Sequence, residues 1–205
     1  MIFAVVPAAG LSSRMGRPKL SLPLGGRTVV ECVVAALRQG GVDEVLVVVG
    51  PTDPGLAALA EGAGASVLRL LNVTADMRAT VEAGLHWLEE RFHPRPDDAW
   101  LLAPADHPAL DAEVVRRLLA AYAARPPQSI MVPVHEGRRG HPTLIAWRHV
   151  SDIRAHPSGK GINDYLRLQQ EQIMEVPAPS AAVLWDLDTP DDYERFAGYG
   201  ASGTC

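Results

Sequence analysis

Aromatic residues are scarce in this chain. Phe, Trp and Tyr make up 5% of its 205 residues, while hydrophobic residues as a whole make up 47%. An apolar fraction drawn mainly from Ala, Val and Leu suits helices packed on a sheet better than a β-sandwich. Positive charge is also short. The formal net charge of −5 excludes a general nucleic-acid binder, which needs a basic face. An acidic protein can still hold phosphate in a locally basic pocket. There are two cysteines, Cys32 and Cys205, which make neither a disulfide framework nor a zinc set and fit a reducing cytosol. No apolar run approaches the ~20 residues of a membrane span. The opening "MIFAVVPAAG" has no basic start, so it reads as a core strand and not as a signal peptide. A cytoplasmic protein with no membrane or nucleic-acid partner is expected. Internal repeats and long linkers are absent.

What is present alternates. Strands are expected at 2–6, 44–50, 66–71 and 99–106, and helices at 28–39, 54–63, 76–91 and 112–124. The helices show apolar residues at helical spacing, as with Met77, Val81, Leu85 and Leu88. The strand "EVLVVVG" is apolar on both faces, as a central parallel strand is. After "RPPQ" two strands, "SIMVPV" and "TLIAWR", flank the glycine-rich turn "HEGRRGHP". A helix near 162–169, a strand near 173–176, an apolar strand in "AVLWDLDTP" and a helix opened by Pro190 complete the chain. The pattern predicts an α/β fold, a Rossmann-like three-layer sandwich with a mostly parallel central sheet. Residues 1–198 are expected to form a single domain, with 199–205 as a flexible tail. Ligands of such sheets collect at the carboxyl ends of the strands. Residues 7–19, 72–80 and 104–108 follow strands and should share one rim.

The first of these segments, "VVPAAGLSSRMGRPK" at 5–19, leaves a strand through small residues and lands on cations. Ala8, Ala9 and Gly10 let a ligand approach the backbone, whose amides can point at phosphate oxygens. Arg14 can fork onto two oxygens and Lys19 adds a point charge. The spacing is neither a Walker A loop nor a dinucleotide fingerprint. Carboxylates come later. Asp106 follows an apolar strand, and Asp186 and Asp188 follow another, on one face if that strand persists. Separated carboxylates at one rim suit Mg²⁺, which takes hard oxygens and keeps waters beside substrate phosphates. Asp191 and Asp192 read as charges or caps for the last helix.

"PAAGLSSRMGRPK" resembles the A-A-G-x-x-x-R-M-G-x-x-K signature of the MobA-like nucleotidyltransferases, with the molybdenum cofactor cytidylyltransferase branch the nearest match. The resemblance runs over nearly the whole chain. It implies transfer of a nucleotidyl group with release of pyrophosphate and dependence on Mg²⁺. It also implies a loop of Ala8, Ala9, Gly10, Leu11, Ser12, Ser13, Arg14 and Lys19 around the triphosphate, with Arg14, Lys19 and Asp106 catalytic. Asp106 and Asp188 match the family's metal-binding aspartates. "NVTADMRATVEAGL" is similar to its base and ribose segment, so Thr80 is expected at the nucleotide. Asp76 replaces a glycine there and reads as a helix cap, as a charge that repels phosphate or as a group reaching a sugar hydroxyl. "GRRGHP" matches a motif that implies Arg139, Gly140 and His141 at an acceptor pocket; a plain hairpin is the alternative. Near 156–164 the branch's usual arginine stretch is missing. Lys160 between glycines either clasps an acceptor phosphate or sits in an ordinary turn. Ala9 favours CTP as donor, by resemblance. The acceptor implied is a phosphorylated small molecule, molybdopterin or the molybdenum cofactor, with a recipient molybdoenzyme or chaperone as candidate partner. The altered loop and Asp76 keep open another phosphorylated alcohol or sugar. A nucleotide- or cofactor-binding carrier without turnover is the third reading.

Overall fold

The computed structural model describes residues 1–10, 15–157 and 159–200. In chain order the strands are β1 (Ile2–Ala8), β2 (Pro23–Leu24), β3 (Arg27–Thr28), β4 (Glu44–Val49), β5 (Ser66–Arg69), β6 (Ala99–Leu102), β7 (Ile130–His135), β8 (Arg138–Arg139), β9 (Thr143–Ala146) and β10 (Ile173–Pro177). The helices are α1 (Val29–Gln39), α2 (Pro54–Gly62), α3 (Met77–Phe92), α4 (Ala112–Ala123), α5 (Val150–Ala155), α6 (Ile162–Leu168) and α7 (Pro190–Gly200). One sheet is ordered β10-β7-β9-β6-β1-β4-β5, with β8 paired to β7, and β2 and β3 form a small separate hairpin. β1, β4, β5 and β6 are mutually parallel, while β9 runs against both β6 and β7. This is the expected Rossmann-like α/β sheet.

Side-chain alternation explains the three layers. Ala4, Val6 and Ala8 of β1 and Val45, Val47 and Val49 of β4 face one cluster, shared with α1, α2 and α4. Phe3, Val5, Leu46 and Val48 face the other, shared with α3, α5 and α6. Both faces of each strand are buried, so the sequence runs apolar without a break. α3 lies close on the sheet because residue 84 is glycine. A Cβ there would come within 2.9 Å of both Val5 Cγ1 and Val48 Cγ2.

Helix starts follow local chemistry. Thr28 and Glu31 make a capping box on α1, with the Thr28 N–H donating to Glu31 Oε2 at 2.6 Å. Asp53 and Asp111 cap α2 and α4. Two expectations shift. The apolar run in "AVLWDLDTP" is not a strand: residues 181–184 form a turn of 3₁₀ helix and the chain continues irregularly. Alternation therefore does not orient Asp186 and Asp188; Asp186 is exposed, whereas Asp188 is partly buried. α7 runs to Gly200, into the segment expected to be a tail, and residues 201–205 lie outside the described residues.

Candidate active site

β1, β4 and β6 end side by side, and the segments leaving β1, β5 and β6 converge on one cleft of about 400 Å³. Pro7–Gly10, Val73–Met77 and Pro104–Asp106 line it, with Met15, Lys19, Thr80 and Asp188. The three segments expected to share a rim thus each contribute described residues to this one cleft. Leu11, Ser12, Ser13 and Arg14 lie outside the described residues. Gly10 does not adopt left-handed backbone geometry, and a Cβ there would meet nothing described within 4 Å. Neither strain nor packing against the described residues requires glycine at this position. Gly50, which no motif marks, backs the loop: its Cβ would sit 3.3 Å from the Ala9 carbonyl oxygen.

Lys19 is the centre of the site. It opens a short 3₁₀ turn after Pro18. Its Nζ donates to Asp106 Oδ2 at 2.7 Å and to Asp188 Oδ1 at 2.9 Å. All three side chains are largely buried, the lysine at 13% exposure and the aspartates at 26% and 18%. Burial opposes the ammonium charge, but hydrogen bonds and charge from Asp106, then Asp188, outweigh it and hold the Lys19 pKa above its ordinary value. The two aspartates come from segments far apart in sequence. A backbone bond from Leu187 N to Asp106 O, 2.8 Å, ties those segments together. Asp192 secures the next turn, accepting from the N–H groups of Asp188 and Thr189 at 3.2 and 2.9 Å and from the Thr189 hydroxyl at 2.7 Å. This is the capping role expected of it.

On the opposite wall, Asp76 caps α3: its Oδ1 accepts from Ala79 N at 2.8 Å. Thr80 is buried and shares a 2.6 Å hydroxyl contact with Thr74, a cleft residue that no periodicity marks. Met77, 58% exposed, faces the cleft and not the core.

The remaining expected site residues lie elsewhere. Arg139 is tied to Glu175 of β10 through a 2.9 Å bond at the sheet edge. Gly140 and His141 pack against the 3₁₀ turn that precedes Asp188. The His141 N–H donates to Val183 O at 2.9 Å, and a Cβ on Gly140 would lie 2.3 Å from that oxygen. The His141 ring stacks edge-on against His107, with centroids 5.3 Å apart. The His107 Nε2 stands 4.0 Å from Asp106 Oδ1. Burial lowers both imidazole pKa values, that of His141 to about 4, so both rings are neutral near pH 7. Lys160 sits in the loop before α6, beside the start of α3. None of Arg139, Gly140, His141 and Lys160 is among the described residues lining the cleft.

Asp106 and Asp188 present oxygens close enough to be bridged by one ammonium, on a wall open to the cleft. Among the described residues no group of three or more Asp, Glu, His or Cys gathers as a metal cage. Two carboxylates with room for phosphate and water fit a magnesium-like ion better than a site closed by protein ligands. No described helix is long and apolar enough to cross a membrane.

A family model, the MobA-like NTP transferase domain, matches residues 4–173. The chain belongs to the MobA-like NTP transferase family. Within this nucleotidyltransferase family it is similar to proteins of different substrates. The molybdenum cofactor guanylyltransferase of Rhizobium meliloti is 32% identical over 94% of this chain and 88% of its own. The molybdenum cofactor cytidylyltransferase of Escherichia coli is 23% identical over 94% and 93%. The nicotine blue oxidoreductase of Paenarthrobacter nicotinovorans is 30% identical over 95% of each. The 2-C-methyl-D-erythritol 4-phosphate cytidylyltransferase of Ralstonia nicotianae is 36% identical, but over 62% of this chain and about half, 53%, of its own length. Among solved structures, a nucleotidyl transferase from Methanothermobacter superposes with a TM-score of 0.78 at 28% identity, over 98% of both chains. The Mycobacterium tuberculosis protein Rv0371c in complex with manganese gives 0.74 at 26%, over 96% and 97%. The relatives it matches thus include a guanylyltransferase and cytidylyltransferases alike.

Proposed function

We propose that this MobA-like protein transfers CMP from CTP to a phosphorylated acceptor, molybdopterin or the molybdenum cofactor, and releases pyrophosphate. The observation that carries the reading is the Lys19–Asp106–Asp188 cluster on a cleft at the strand ends. An acceptor phosphate oxygen attacks the α-phosphorus of CTP. A new P–O–P linkage forms as the bond to the β-phosphate breaks, and pyrophosphate carries away the bonding pair. Asp106 and Asp188 would hold Mg²⁺, which when bound supplies positive charge for the α-phosphate and the departing pyrophosphate. Lys19 and Arg14 bind pyrophosphate oxygens, and the Ala8–Gly10 backbone lets the triphosphate lie close. Leu11, Ser12 and Ser13 are proposed for the triphosphate as well, and Thr80 for the nucleoside. Catalysis is positioning and electrostatics, with no protein nucleophile. A manganese complex of a similarly folded relative supports a divalent-cation site. Arg139, His141 and Lys160 are proposed for the acceptor side, Lys160 foremost because Arg139 is paired with Glu175.

A thermal-shift panel of nucleoside triphosphates with Mg²⁺ tests the donor, and pyrophosphate release with a panel of phosphorylated acceptors tests the reaction. At a hundredfold excess over Kd, CTP with Mg²⁺ should raise the Tm by about 5–11 °C. Asp106→Asn should abolish both that shift and turnover. No shift with any triphosphate would overturn the reading. Binding of CTP without turnover of any acceptor would favour the carrier, and turnover confined to another phosphorylated alcohol or sugar would change the acceptor alone. NADH belongs in the panel because one full-length relative is named an oxidoreductase.

A further inference from the structure

Arg78 has no part in the reading above, yet its guanidinium is heavily engaged. The side chain is only 10% exposed. Its Nε donates to Glu82 Oε1 at 2.7 Å, one helical turn along α3. The other nitrogens leave α3 altogether. Nη1 donates to the carbonyls of Pro157 at 2.8 Å and Lys160 at 3.0 Å. Nη2 donates to those of Ile153 and His156, both at 2.8 Å, and of Arg154 at 3.3 Å. These are carbonyls at the end of α5 and in the loop beyond it, where the helix ladder has run out; Ile153 O and Pro157 O also accept from the N–H groups of His156 and Lys160, both at 3.3 Å. A planar fork with several fixed donors can serve them together; a single ammonium cannot. Glu82 offsets the charge, so the cation can be buried.

The placement matters because Arg78 directly follows Met77 and Asp76, which line the cleft. Its side chain leaves α3 one residue beyond that wall, and its guanidinium holds the loop that carries Lys160. We propose that Arg78 is a positioning residue that fixes the Lys160 loop at the acceptor side of the cleft. The assignment rests on the nucleotidyl-transfer reading for what the loop faces, and on geometry alone for the tether.

The test uses the full chain with Arg78→Gln and Arg78→Lys. Hydrogen exchange is followed at the amides of 153–156 and 159–161. KM values are measured for CTP and for whichever phosphorylated acceptor gives the fastest pyrophosphate release. In Arg78→Gln the loop amides should exchange at least tenfold faster. The acceptor KM should rise tenfold or more while the CTP KM stays within twofold. Arg78→Lys should recover part of the acceptor KM. An unchanged acceptor KM with a loosened loop would overturn the proposal, as would a parallel rise in both KM values, which general loosening produces. If the wild-type protein turns over no acceptor, the nucleotidyl-transfer reading fails separately. The tether is then judged by exchange alone, supported by the tenfold rise and overturned by its absence.

Discussion

Gly140→Ala tests how the second aspartate is held in place. An ideal Cβ at residue 140 would lie 2.3 Å from the Val183 carbonyl oxygen, 2.7 Å from its carbon and 2.9 Å from Val183 Cβ. Val183 has little freedom to retreat. It is 2% exposed, and its oxygen already accepts from His141 N at 2.9 Å. Gly140 is fixed from the other side, its N–H donating to Pro133 O at 2.8 Å. Overpacking of this kind costs about 1–3 kcal/mol. For a chain of this size that lowers the Tm by about 2–12 °C. The strain is not confined to stability, because the displaced turn leads directly into Leu187 and Asp188. Leu187 N is bonded to Asp106 O, and Asp188 to Lys19. The Tm rise given by Mg²⁺ with CTP should therefore shrink as well. Differential scanning calorimetry of the variant, with and without Mg²⁺ and CTP, gives both numbers. Gly62→Ala is the control: a Cβ there meets nothing within 4 Å, so the Tm should hold or rise slightly. A Gly140→Ala protein as stable as its parent would refute the claim that this contact is closed.

Two further perturbations read the buried polar groups. Burial, with a smaller push from His107, holds the His141 pKa down at about 4 against an ordinary 6.5. Between those values the unfolded chain binds a proton that the folded chain excludes. Stability is thus full above pH 6.5 and falls as the pH drops toward 4, by about 3 kcal/mol from this residue. Urea unfolding across pH 4–7 should show that slope, and His141→Gln should flatten it; an unchanged slope would exclude His141 as a source. Ser129, fully buried, joins His149 Nε2 at 2.7 Å and Gln172 Oε1 at 2.9 Å, while the Tyr165 hydroxyl meets His149 Nδ1 at 2.7 Å. Ser129→Ala leaves a buried imidazole nitrogen and a partly buried amide oxygen unpartnered and should cost about 1–3 kcal/mol in urea unfolding; a neutral effect would mean the network contributes nothing.

Local patterns made much of the fold legible. Unbroken apolar runs marked β1 and β4 because parallel strands bury both faces. The helix expected over 28–39 begins where Thr28 and Glu31 make a capping box, a signal confined to four consecutive residues. Where the apolar signal was short it misled. "AVLW" buries Ala182 and Val183 as a strand would, but as a turn of 3₁₀ helix, and periodicity does not separate the two in four residues. The reading of Asp76 as a cap was decidable only once α3 had a definite first residue.

The sequence by itself determined the alternation of strand and helix, and with it the rule that loops 7–19, 72–80 and 104–108 must meet at one rim. Strand direction follows from the helical crossovers, and those are properties of the chain; strand order is decided by the packing. Tertiary structure alone decided which charges find each other. Lys19 reaches Asp106 and Asp188 across 87 and 169 residues. Arg139 turns to Glu175, and Arg78 gathers the carbonyls of a loop some 80 residues away. A charged side chain leaves no periodic trace of its partner, because the partner is chosen by how sheets and loops pack and by the cost of burying a charge alone.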